Sequence, residues 1–203
     1  MEDPTSKTAA TYDHIAPAFA ARTEHPDAGL QAFRQRFADA VPAGETVADL
    51  GCGPGRDAAW LGERGLRVVG VDRSAAMAGL AAARGVPAVL GDLRRPPVAP
   101  GSLAGLWSVA ALLHVPAAET EATLRAWRAA LRTGGVLGLS TSTGDTEGWE
   151  EVPSEAGRHR WFVHRDPGTL LRLLGAAGFE TVEHGLNTAG RTWLSVLAIK
   201  REV

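Results

Sequence analysis

Short apolar runs and longer helical patterns alternate along this chain. Tyr12, Ile15, Ala16 and Phe19 recur at helical spacing over residues 8–22, with Pro17 placed to break or kink the helix. Leu30, Phe33 and Phe37 mark one face of a second helix over residues 30–40. Strand-like runs follow at residues 47–50, 66–72, 87–90, 103–109 and 136–141. Between them, helical patterns open at Ala58 and run over residues 75–84, capped by Ser74, and 116–132. Leu124, Trp127 and Leu131 form one buried stripe on the last of these helices, so Trp127 reads as core, and Thr133-Gly134-Gly135 ends it. Residues 142–165 hold no sustained period and predict a long loop. Asp166-Pro167-Gly168 then opens a final helix with Leu170, Leu171 and Leu174 apolar, and two strands over residues 179–186 and 191–200 follow. Trp193 to Ile199 is apolar on both faces apart from Ser195, as suits a strand covered by helices on both sides. The alternation predicts an α/β fold with a mostly parallel sheet.

The chemistry gathers where the first of these runs ends. Asp49-Leu50-Gly51-Cys52-Gly53-Pro54-Gly55 sets three glycines at alternate positions, so that a backbone can turn sharply and approach a ligand with no Cβ between them. Such a turn predicts a binding site at the carboxyl end of a strand, facing a helix N-terminus. The second run ends at Asp72, roughly 20 residues on, where a carboxylate takes the two hydroxyls of a ribose. Arg56 stands where a dinucleotide fingerprint wants its third glycine. The only lysines are Lys7 and Lys200, so no phosphate loop is present. A nucleoside site is the reading that remains.

At these residues the chain resembles the class I S-adenosylmethionine-dependent methyltransferases of the bacterial small-molecule type, whose first motif is similar to Asp49 through Gly55. Similar motifs follow in order to the C-terminus. The resemblance implies a Rossmann-like sheet of about seven mostly parallel strands, the last antiparallel, with helices on both faces. It implies S-adenosylmethionine as cofactor, with S-adenosylhomocysteine as product. By the same resemblance the cofactor-binding residues are Tyr12, Asp49, Gly51, Cys52, Gly53, Gly55, Asp72, Arg73, Asp92, Leu93 and Ser108. The glycines would admit the methionine portion, Asp49 orient it, Asp72 hold the ribose and Asp92 accept the adenine amino group. Arg56 reads either as a ligand contact or as a partner for a nearby acid. Tyr12-Asp13-His14-Ile15-Ala16 is similar to a pattern on a family helix that closes over the cofactor.

His114 resembles the histidine of a Leu-His motif at the cofactor's methyl end. It reads either as a catalytic general base or as a structural histidine donating to a backbone carbonyl. Residues 142–165 read as a substrate cover, and Trp149, Arg160 and Trp161 join Tyr12 and His114 as substrate-binding candidates. Arginines there suit a carboxylate, whereas acidic and aromatic residues suit an amine. Ala104 stands where many family members have an acidic residue, and no Asn/Asp-Pro-Pro-Tyr/Phe stretch follows the fourth strand. The absence of that stretch argues against methylation of amides or base amino groups and leaves no acidic cluster for magnesium, so no metal site is expected.

Composition narrows the picture further. With 203 residues the chain reads as a single domain: helical lid and docking helices over 1–45, a cofactor-binding core over 46–141, a substrate-covering insertion over 142–166, and a helix with a strand pair over 167–203. A formal net charge of −2 argues against a nucleic-acid partner bound through a broad basic field. Cys52 is the only cysteine, which excludes an internal disulfide and a multi-thiolate zinc site. Neither a signal peptide nor an apolar run of ~20 residues is visible, so a cytoplasmic protein without a membrane partner is expected. The function expected is metal-independent methyl transfer to a small molecule held about 3 Å from the methyl carbon. The rivals are another use of the cofactor, such as ring closure on its aminobutyrate chain, a dinucleotide-dependent reductase, and a non-catalytic binding protein.

Overall fold

The structure, a computed structural model, describes residues 3–202. Helices α1 (Pro4–Thr23) and α2 (Ala28–Ala40) lead into β1 (Thr46–Leu50), α3 (Arg56–Glu63), β2 (Arg67–Asp72), α4 (Ala75–Ala83) and β3 (Ala88–Leu90). Next come β4 (Leu103–Val109), α5 (Thr120–Ala130), β5 (Leu131–Ser142), β6 (Glu147–Val152) and β7 (Glu155–Val163). The chain closes with α6 (Pro167–Ala176), β8 (Phe179–Ala189) and β9 (Arg191–Lys200). Seven strands form one sheet in the order β3-β2-β1-β4-β5-β9-β8, parallel except that β9 runs antiparallel to both of its neighbours. The winding reverses between β1 and β4, and in open α/β sheets ligands bind outside the strand ends at such a reversal.

Successive side chains of the central strands go to opposite layers, as the two-residue period of a strand requires. Ala48, Leu50, Leu106, Leu137 and Leu139 pack with Leu124 and Trp127 of α5 and with Leu170 and Leu174 of α6. Val47, Ala104, Trp107 and Val136 pack on the other face with Phe33 and Phe37 of α2, Ala58 and Leu61 of α3, and Ala81 of α4. Trp107 is fully buried, its ring centroid 4.9 Å from those of both Phe33 and Phe37. No helix among the described residues is long and apolar enough to cross a membrane.

Three sequence expectations change. First, α1 begins at Pro4, capped by Asp3, and continues through Pro17. Pro17 lies on the exposed side, where water can meet the backbone carbonyl that the missing N–H leaves free. Second, the helix expected over residues 116–132 is a 3-10 turn at Ala117–Glu119 followed by α5, and Thr133-Gly134-Gly135 belongs to β5. Two steps along β4, Leu103 to Gly105, there face five along β5, Leu131 to Val136. Gly134, at φ 70°, helps fold out the excess as a bulge. Third, residues 142–165 are no loop. β6 and β7 form a two-stranded antiparallel hairpin whose inner side faces α1, with Trp149 opposite Trp161 and Glu150 opposite Arg160.

Candidate cofactor and acceptor site

A cavity of about 200 Å³ opens at the carboxyl ends of β1, β2 and β4, beneath α1. Its floor is the glycine turn. Backbone amides of Gly51 and Cys52 donate to the Val71 carbonyl at 2.7 and 3.2 Å, which folds the turn back onto β2. The Gly53 amide and the Ser74 amide donate to the two carboxylate oxygens of Asp72 at 2.8 and 2.9 Å. Burial nonetheless raises the Asp72 carboxyl above the usual carboxylate range. Asp49 is buried, and desolvation reinforced by Asp57 and Asp72 lifts its carboxyl well above the ordinary value.

Each glycine does different work. Gly51 and Gly53 line the cavity and Gly55 does not. A Cβ on Gly51 would stand 2.3 Å from that of Ala111, so this position lets the loop after β4 come close. A Cβ on Gly53 would meet nothing within 4 Å. Across the cavity Ala110 holds φ at 53°, an uncommon conformation for a residue with a Cβ. Cys52 and Leu93 line the wall, and burial pushes the Cys52 thiol far up. Ser108 lies outside the lining: its hydroxyl donates to the Leu50 carbonyl at 3.0 Å and ties β4 to β1.

The adenine role implied for Asp92 meets a crowded carboxylate. Asp92 lines the cavity but accepts from Arg73 Nη1 at 2.6 Å and from Arg94 Nη2 at 2.6 Å. Arg73 also reaches the Thr5 and Ser6 hydroxyls on α1, so both arginines fasten the lid's N-terminus beside Asp92. Arg56 pairs with an acid, donating through Nε and Nη2 to the two oxygens of Asp57 at 2.9 and 3.0 Å, and its Nη1 reaches the Thr23 carbonyl at 2.6 Å. Arg34 and the Trp107 indole complete the Asp57 shell at 2.9 and 3.3 Å. The sequence reading missed Arg34 and Asp57. Asp57 carried a signal, as an acid in the first turn of a helix, while Arg34 carried none beyond adjacency to Phe33.

The far end of the cavity is lined by α1 and the loop after β4, with the hairpin packed behind them. Tyr12 and His114 line it; Trp149, Arg160 and Trp161 do not. The Trp161 carbonyl only accepts, so His114 Nδ1 carries the proton it donates there at 2.6 Å, and Nε2 accepts from the Tyr12 hydroxyl at 2.9 Å. Arg160 Nη1 in turn donates to the Tyr12 oxygen at 3.1 Å. Burial takes the His114 imidazole down to about 3, and the Arg160 charge works in the same direction. The lone pair that a base would use is thus engaged by the Tyr12 hydroxyl, and the opposite nitrogen donates to a backbone carbonyl. Trp149 faces outward, 39% exposed, with the Lys7 ammonium 4.9 Å from its ring. Trp161 contributes its backbone, its amide donating to Thr8 at 2.9 Å, and its indole donates to Glu147. No group of three or more His, Cys, Asp or Glu side chains among the described residues could hold a metal ion.

A reversal-point cavity on a sheet with this strand order is the hallmark of the class I methyltransferase fold, and residues 47–135 match a family model described as a methyltransferase domain. Over those residues the chain is similar to a methyltransferase domain, and its sheet has the fold of the class I methyltransferases. No curated protein matches the sequence. Among solved structures it is similar to the Burkholderia thailandensis 1,6-didemethyltoxoflavin-N1-methyltransferase, which was solved with its substrate and S-adenosylhomocysteine bound. The TM-score is 0.76 and the identity 21%, covering 100% of this chain and 92% of that one. A Methanosarcina mazei S-adenosylmethionine-dependent methyltransferase aligns at TM-score 0.74 and 16% identity, over 81% of this chain and 96% of that one. The [4+2]-cyclase SpnF aligns at TM-score 0.78 and 18% identity, over 98% and 97%. At such identities the likeness speaks for the fold.

Proposed function

We propose that this protein transfers a methyl group from S-adenosylmethionine to a small-molecule acceptor without a metal. One observation carries the reading: the glycine turn, with Gly53 open to the cavity, meets two cavity carboxylates, Asp49 and Asp72, that form no ion pair among the described residues. A cation bearing hydroxyl and ammonium donors fits such a floor, whereas the pyrophosphate of a dinucleotide would be repelled by it. When bound, the cofactor supplies an electrophilic methyl on its sulfonium. Asp72, fixed by the Gly53 and Ser74 amides, is set to take ribose hydroxyls, and Asp49 to take the amino-acid end. Tyr12, Phe19 and Thr23 of α1 roof the cavity and keep water out. His114, neutral and held by two hydrogen bonds, orients Tyr12 rather than removing a proton. A cavity of about 200 Å³ roofed by a helix suits a small acceptor.

Calorimetric titration with S-adenosylmethionine, S-adenosylhomocysteine and NAD, repeated on Asp72→Ala, tests this. Binding of the first two, lost in the variant and absent for NAD, is the expected result; binding of NAD alone would sink it. A second reading rests on the likeness to SpnF, a cyclase of the same fold. A ring-closing enzyme would leave the cofactor's methyl in place, so the mass of the product formed on an acceptor panel separates the two.

A further inference from the structure

We infer that the acceptor is an organic acid bound as its anion, and that Arg160, one hydrogen bond behind Tyr12 at the His114 end of the cavity, recognises its charge. This rests on the function proposed above and adds the substrate class. Arg160 is only 8% exposed, yet it forms no ion pair among the described residues. Its one hydrogen bond goes to the neutral Tyr12 hydroxyl, and its buried Nε has no partner. A guanidinium taken out of water without a counter-charge is costly. The carboxylate nearest in register, Glu150 across the hairpin, is spent on His164 and on Arg191 at 3.1 Å. What holds Arg160 is aromatic: its guanidinium carbon lies 5.5 Å from the Tyr12 ring centroid and 5.1 Å from that of Phe162. Arg191 approaches Phe162 at 4.8 Å, and its Nη1 is also buried without a partner. Two guanidinium groups with unsatisfied donors thus flank one ring on the hairpin's inner side.

The charge pattern along the cavity points the same way. At the glycine end Arg56 and Arg73 are each paired with an acid, which leaves Asp49 and Asp72 for a cationic cofactor, whereas the unpaired Arg160 sits behind Tyr12 at the other end. An amine acceptor would there meet a cation with nothing to pair with it. An acid meets a donor fork preset by two rings. No group at this end removes a proton near neutral pH, because burial keeps His114 neutral and raises the Tyr12 hydroxyl. An acceptor already ionised in solution needs none.

The test uses matched probes on the protein saturated with S-adenosylhomocysteine: benzoate, benzamide and benzylamine, and hexanoate, hexanamide and hexylamine, each titrated by calorimetry. In at least one set the acid should bind more tightly than its amide and amine. Arg160→Gln should weaken it about 10- to 100-fold, with Arg160→Lys recovering part of the loss. Arg160→Met, which deletes the unpaired charge, should melt no lower than the parent while losing the same preference. A purely structural arginine would instead lower the melting temperature and leave probe selectivity alone. Equal or tighter binding of amides or amines in both sets, no binding of either acid, or an acid preference that survives Arg160→Gln and Arg160→Met overturns the inference. If the parent fails to bind S-adenosylhomocysteine, the proposed function falls first, and the two failures are distinct.

Discussion

Alanine at Gly53 and alanine at Gly55 should fail in opposite ways. Both residues hold positive φ, 53° and 78°, where a Cβ costs roughly 1 kcal/mol. At Gly55 the new methyl would also stand 2.8 Å from the Ala81 Cβ and 2.9 Å from the Ala81 Cα. The latter is backbone of α4, which cannot swing aside, so overpacking adds about 1–3 kcal/mol. Gly55→Ala should therefore cost about 2–4 kcal/mol and lower Tm by about 4–16 °C for a chain of this size. At Gly53 the methyl meets no protein atom within 4 Å and projects into the cavity. Gly53→Ala should lower Tm by only about 2–4 °C. It should weaken S-adenosylhomocysteine by about 5- to 150-fold, the equivalent of 1–3 kcal/mol of crowding. Thermal melting with calorimetric titration of both variants decides the matter. Parent-like binding by Gly53→Ala, or weakened binding by Gly55→Ala at an unchanged Tm, would refute the assignment of Gly53 to the ligand and Gly55 to helix packing.

Three further outcomes follow from contacts elsewhere in the site. His114 is held at about 3 when folded, against an ordinary 6.5, so the unfolded chain binds the extra proton between those values. Stability from this group is complete above about pH 6.5, is lost as pH falls toward 3, and amounts to about 5 kcal/mol; melting of the parent and His114→Gln across that window should show a steeper acid loss in the parent, and equal slopes would contradict it. Arg56→Met removes the tie to the Thr23 carbonyl while leaving Asp57 its bonds from Arg34 and Trp107. It should cost about 2 kcal/mol and speed S-adenosylhomocysteine release in stopped-flow experiments, and an unchanged release rate would show that α1 is not latched there. Arg165 is buried, which brings it down to about 10, and donates to the carbonyls of Val115 and Val163 and to Thr120. Arg165→Met strands three acceptors, so denaturant unfolding should show a loss of about 2–4 kcal/mol; a stable variant would mean that the unpaired cation outweighs its hydrogen bonds.

The central sheet was legible because buried parallel strands read as apolar runs and because glycine, aspartate and proline punctuate them. The hairpin was not. Glu147-Gly148-Trp149-Glu150-Glu151-Val152 is charged and half-exposed, with little strand propensity, and its pairing is supported from outside by Thr8 and Thr11 of α1 through the Trp161 amide and the His159 carbonyl. No local pattern contains that support. The spacing of the glycines announced a turn at the correct place but could not say which of them faces a ligand, since that depends on Ala81 and Ala111, distant in sequence. His114 shows the same limit more sharply. Its residue type suggests a titrating base, and what cancels that suggestion is Tyr12, 102 positions earlier, and the Trp161 carbonyl, 47 later.

Helix α1 is fastened on two sides: to the cofactor half through Asp13 on Ser74 and the Ala76 amide, and through Thr23 on Arg56; to the hairpin through Thr8, Thr11 and Tyr12. Because residues of α1 roof the cavity, on the proposed function cofactor exchange would require the first set to break, and Thr8 and Tyr12 of the second set line the same cavity. Most of these bonds are only part-buried, and each contributes about 1 kcal/mol, so their sum permits opening while favouring closure. The Tyr12 hydroxyl is joined to both Arg160 and His114, so on the proposed function acceptor binding and lid closure would meet there. On the inference above, an anion that engages Arg160 would hold in place one of the two partners of the Tyr12 hydroxyl, so the roof should be most firmly closed when the acceptor is present.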